Sequence, residues 1–181
     1  MLYGDRSGNI RENTEKSLQL AASLFPDEVW VYKEPNIYVA ESRLIEEQRE
    51  KEKWDREMSQ VRILTGRGSV AYFLPEQEKK GVVRKHCPDL VLDGTILEMK
   101  IVSGTRKTLG TQFKYGYKQG KDLLQGRSDV QGHSVFVWLF SDVTVESVKA
   151  KIAGELKERL DDGHFICFFE KAGKLYLWSY E

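Results

Sequence analysis

Residues 88–103, PDLVLDGTILEMKIVS, constrain this chain more than any other stretch. Two β-rich runs flank Asp93-Gly94, a pair favoured in two-residue hairpin turns because both turn positions need positive φ. Such a turn fixes the register. Leu92 faces Thr95, Val91 faces Ile96, Leu90 faces Leu97, and Asp89 falls opposite Glu98. Directly opposed residues share a face with Cβ atoms about 4.5–5.5 Å apart, and Lys100, two positions beyond Glu98, points to that face as well. Leu90, Leu92, Leu97, Met99 and Ile101 occupy the other face, so the sheet is expected to be covered on both sides.

Two neighbouring carboxylates at a partly dry strand end repel each other unless they share a proton, a cationic partner or a divalent metal. A hard cation takes oxygen ligands and keeps several waters, so Asp89 and Glu98 suit Mg²⁺ or Mn²⁺. A metal there polarises a phosphoryl oxygen and lowers the pKa of bound water, while Lys100 positions that water or stabilises charge on the phosphate. The same spacing also fits an ordinary edge hairpin whose Asp, Glu and Lys form a surface ion pair.

The 181 residues suit one well-buried domain, and 40% hydrophobic with 31% charged residues excludes a largely disordered chain. No apolar window reaches the roughly 18–20 residues that span a bilayer, and MLYGDRSGNIRENTEK lacks the apolar core of a signal peptide; the expectation is a cytoplasmic protein without membrane partners. Cys87 and Cys167 are expected to be reduced thiols. Lys and Arg number 28 and balance 28 acids, so any polyanion contact must be local. Charge is segregated accordingly: residues 104–121 carry Arg106, Lys107, Lys114, Lys118 and Lys121 and no carboxylate. Lys107, Lys114, Lys118 and Lys121 fall along one helical stripe that can grip a phosphate backbone, giving affinity without sequence readout. The minimal nucleotide-triphosphate, dinucleotide and serine-hydrolase motifs are absent.

The remaining elements follow from periodicity. A helix is expected from Asn13 or Thr14 to Pro26, and a short strand at Val29–Tyr32. Residues 41–65, free of Gly and Pro, read as one long helix closed by Gly66, with Trp54, Met58, Val61 and Leu64 or Thr65 on its buried stripe. Residues 69–75 form a strand, 76–86 a polar loop, 108–125 a helix whose three glycines suggest close packing, 134–140 a buried strand and 144–160 a helix. A final hairpin turns at Lys171-Ala172-Gly173, and its Tyr176, Trp178 and Tyr180 alternate to one face. The expected architecture is an α/β domain, residues 41–181, with a mixed central sheet flanked by the Glu57 helix and the Lys107–Lys121 helix, preceded by an extension of residues 1–40 and ending in a β-hairpin.

Pro88-Asp89 followed by Glu98-Met99-Lys100 resembles the PD-(D/E)xK nuclease motif on an antiparallel hairpin. The wider context, from a helix with an inward Glu through Leu74-Pro75-Glu76 and the hairpin to Thr105-Arg106-Lys107-Thr108 and a helix carrying Gln119, is similar to the tRNA-nuclease C-terminal domain of contact-dependent inhibition toxins and related phage and mobile-element proteins. The resemblance covers residues 52–140. It implies that Asp89, Glu98 and Lys100 take the motif positions, that Glu57 or Glu76 completes the metal or water site, and that Gln119 fixes the nucleophile or a phosphate oxygen. It also implies a metal-dependent nuclease acting on structured RNA such as tRNA, with a cognate inhibitor protein as a partner. A DNA endonuclease and a catalytically silent nucleic-acid- or protein-binding module on the same fold stay open. His86, just ahead of the motif, could contact substrate or carry a proton in a metal-independent cleavage.

Overall fold

The computed structural model describes residues 9–76, 88–102, 106–124, 133–139, 144–157 and 165–180. The chain divides into two compact units at Ile96/Leu97, inside one strand.

In the first unit, α1 (Ile10–Leu24) starts before the expected Asn13 or Thr14. Thr14 does not cap the helix; its hydroxyl donates back to the Ile10 carbonyl at 2.7 Å, and Asn13 and Ser17 are buried inside the helix. The chain then forms β1 (Trp30–Glu34) and β2 (Ile37–Ala40), joined by Pro35-Asn36. Asn36 sits at φ 63°, the left-handed value that a Pro-Asn turn needs at its second position. Sequence periodicity did not reveal β2, whose four residues lie between a turn and a helical start. β2 pairs antiparallel with β1 and parallel with β3 (Ala71–Phe73), which pairs antiparallel with β4 (Leu90–Leu92). Residues 10–40 thus add a helix and two strands to the sheet that carries β3 and β4.

The expected single helix over residues 41–65 is instead a 3-10 turn (Glu41–Arg43), α2 (Leu44–Arg49) and α3 (Lys51–Thr65), broken at Glu50. The reason is tertiary. Arg43 and Glu57, fourteen positions apart, would lie about 21 Å apart along a straight helix at 1.5 Å per residue, yet their side chains meet at 2.7 Å. The chain must therefore turn back, and no residue type at Glu50 announces it. The buried stripe of α3 is as expected: Trp54, Met58, Val61, Leu64 and Thr65, with Trp54 5.4 Å from the Phe73 ring. On the opposite face of β3, Tyr72 packs with Ala21, Val70, Leu74 and Val91 beneath α1.

β5 (Thr95–Val102) begins in the first unit and continues into the second. There α4 (Arg106–Leu124), β6 (His133–Leu139), α5 (Val145–Lys157), β7 (Phe165–Lys171) and β8 (Lys174–Tyr180) follow, close to the expected boundaries. β6 and β7 are parallel; β7 and β8 form an antiparallel hairpin turning at Ala172-Gly173, with φ values of 50° and 72°. The core of this unit gathers Val102, Leu109, Phe113, Tyr117, Val135, Val137 and Val148, with Tyr176 half-buried against it. The side chains of Trp178 and Tyr180 lie outside the described residues. Both units mix parallel and antiparallel pairing with flanking helices, so the chain is α/β with a mixed sheet. Among the described residues, no helix is long and apolar enough to cross a membrane.

Candidate functional site

The motif hairpin is set from its turn. Asp93 and Gly94 adopt φ values of 51° and 81°, the two positive values of a two-residue turn of the favoured hand. Contacts with Val70 and Ser17 hold the turn. Asp93 exchanges bonds with Val70, its Oδ1 accepting from the Val70 N–H at 2.8 Å and its own N–H donating to the Val70 carbonyl at 3.0 Å. The Gly94 N–H donates to the fully buried Ser17 hydroxyl at 2.8 Å, so α1 braces the turn. Both faces of the hairpin are covered as expected: Leu90, Val91, Leu92, Ile96, Leu97 and Glu98 are all buried.

In the second unit, the structure brings Glu98, Lys100 and Gln119 together. Glu98 is 3% exposed, and its Oε1 pairs with the Lys100 ammonium. The ammonium also donates to Gln119 Oε1 at 2.6 Å. The three groups can form this cluster because α4 comes very close to the sheet at Gly116, where a Cβ would lie 3.1 Å from Val135 Cγ1 and 3.4 Å from Glu98 Cγ. Gln119 stands three positions along from Gly116, so the close approach brings its amide to the strand. An ammonium shared by a buried carboxylate and an amide oxygen is fixed in space, and can hold a phosphate oxygen or an attacking water.

In the first unit, Glu57 and Asp89 are tied through a residue that no sequence motif singles out. Arg43 is 1% exposed. Its Nη2 donates to Glu57 Oε2 at 2.7 Å, and its Nη1 donates to the carbonyls of Leu74 at 2.9 Å and Asp89 at 2.8 Å. The guanidinium lies 5.0 Å over the Phe73 ring. Burial pushes the Glu57 carboxyl above the usual range, the Arg43 charge pulls it back down, and Asp89 adds to the rise. Glu76, the rival of Glu57, is more exposed; it pairs with Lys53 and lies 3.8 Å from Arg43 Nη2. Arg43 sits in AESRLIEEQREKEK, where nothing distinguishes it from the solvated charges that follow.

Lys114 and Lys118 are exposed on α4. Arg106, Lys107 and Lys121 lie on the same helix, but their side chains are outside the described residues. So are His86 and Cys87. Carboxylate oxygens are the donors that a hard divalent cation takes, and of the two expected ligands Asp89 belongs to the first unit and Glu98 to the second. No group of three or more His, Cys, Asp or Glu side chains arranged for a metal occurs among the described residues. No protein-family model, curated protein or solved structure matches this chain.

Proposed function

We propose that this chain is a metal-dependent nuclease that hydrolyses phosphodiester bonds, with structured RNA such as tRNA as its preferred substrate. The observation that carries the reading is the Lys100 ammonium held between Glu98 and Gln119 on the strand that follows the Asp93-Gly94 turn. Asp89 and Glu98 would hold Mg²⁺ or Mn²⁺. The ion supplies a polarised phosphoryl oxygen and a water of lowered pKa. Lys100 and Gln119 orient the attacking water and a phosphate oxygen, and the exposed Lys114 and Lys118 grip the backbone.

The test is incubation of the purified protein, beside Glu98→Ala, with total tRNA and with plasmid DNA, each in Mg²⁺, Mn²⁺ and EDTA. Metal-dependent cleavage lost in the variant is the expected result, and the polymer that is cut separates an RNase from a DNA endonuclease. Intact nucleic acid in every lane sinks the reading.

One observation favours a second reading. Two of the proposed site acids are matched by a base of their own unit, Glu98 by Lys100 and Glu57 by Arg43, which suits a fold that binds nucleic acid or a protein without turnover. Binding that survives in EDTA with no product would select it.

A further inference from the structure

We propose that Arg43 is the positioning residue for Asp89 and Glu57, an inference that rests on the nuclease reading. Its guanidinium is planar and buried, and its contacts with two carbonyls, a carboxylate and a ring constrain that plane. Nη1 spans the carbonyls of Leu74 and Asp89 at 2.9 and 2.8 Å, Nη2 takes Glu57 Oε2 at 2.7 Å, and the Phe73 ring lies 5.0 Å beneath. The Asp89 carbonyl accepts a second bond, from the Leu74 N–H at 3.0 Å. A peptide whose carbonyl holds two donors from different elements cannot swing, so the Cα–Cβ direction of Asp89 is set from its backbone. The other end of the same cation orients the Glu57 carboxylate. One buried side chain thus fixes the bearing of two proposed site residues that are 32 positions apart in the chain.

Stability alone does not account for this arrangement. A buried ion pair adds little over apolar side chains of the same volume, because both charges lose their hydration. What it adds is geometry: a fork of fixed shape that lysine, a point charge on a flexible stem, does not reproduce. Glu76, at 3.8 Å and already paired with Lys53, sits at the margin of this clamp.

The experiment compares the wild type, Arg43→Lys, Glu57→Gln and the Arg43→Met/Glu57→Gln pair, each checked for cooperative unfolding and assayed well below its unfolding midpoint. Two readouts are taken: Mn²⁺ binding without nucleic acid, by electron paramagnetic resonance, and cleavage kinetics on the polymer that the wild type cuts. The expected result for folded Arg43→Lys is Mn²⁺ affinity weakened about tenfold or more, with kcat lowered and KM for nucleic acid unchanged. The double variant should be weaker than Glu57→Gln alone by a similar factor, and it carries the test if Arg43→Lys does not fold. Wild-type Mn²⁺ affinity and kcat in folded Arg43→Lys, or a double variant equal to Glu57→Gln, overturns the role of Arg43 while leaving the nuclease reading intact. A wild type that cuts neither polymer overturns both.

Discussion

Gln119 Oε1 accepts a hydrogen bond from Lys100 Nζ at 2.6 Å, joining a residue of α4 to the strand that bears the proposed motif. The bond fixes the ammonium against rotation about its four-carbon stem. Gln119→Leu, similar in volume but without an acceptor, should lower kcat about 10²-fold or more with little change in folding stability, and Lys100→Ala should abolish cleavage. Single-turnover kinetics on each purified variant, with circular dichroism as the fold control, checks this. Full activity in folded Lys100→Ala would remove the lysine from the chemistry.

Gly116 and Gly154 lie in helices and differ in what a methyl group would meet. At Gly116 the new Cβ would sit 3.1 and 3.2 Å from the two methyls of fully buried Val135, a β-branched side chain that cannot rotate away. At Gly154, exposed on α5, nothing among the described residues lies within 4 Å. Gly154→Ala should therefore stabilise the protein by about 0.5–1 kcal/mol through helix propensity. Gly116→Ala should lose that gain to overpacking, for a net cost of about 1 kcal/mol or more, and should disturb Glu98 as well. Urea unfolding midpoints decide it; equal effects at the two positions would count against the close approach of α4.

Glu57 makes a signed prediction about pH. Burial, only partly offset by Arg43, raises its folded pKa above the ordinary 4.5. Between that value and the raised one, the folded protein holds a proton that the unfolded chain has shed. The contribution to stability is then fully present below 4.5 and lost as pH rises through the folded pKa. The unfolding free energy of the wild type minus that of Glu57→Gln should decline across this window and level off above it. A difference that rises with pH would mean that Arg43 outweighs burial.

Lys114 and Lys118 are exposed and can release counterions only if they meet phosphates. Each should therefore act on affinity for every sequence alike. Replacing either by Gln should lower the slope of log K against log salt by about 0.7–0.9 for each phosphate that is no longer neutralised, measured by fluorescence anisotropy on a labelled RNA. An unchanged slope in the double variant would show that this face does not carry the backbone.

What the sequence determined is what neighbours along the chain decide. Asp93-Gly94 and Ala172-Gly173 turn where φ must be positive, and the Trp54-Met58-Val61-Leu64 stripe is buried because helical spacing puts those residues on one side. The proximity of Glu98, Lys100 and Gln119 was legible in part, since alternation puts Glu98 and Lys100 on one face and the glycines of α4 announced a close approach. Only the tertiary structure decided the rest. The helix α1 begins earlier than its sequence suggests because Asn13 and Ser17 find buried places inside it, with Ser17 meeting the hairpin turn at Gly94. The break at Glu50 and the clamp at Arg43 arise together, from partners 14, 31 and 46 positions away. A buried guanidinium is placed by carbonyls and a carboxylate that converge only after the sheet has formed, and no local pattern of residues encodes where they meet.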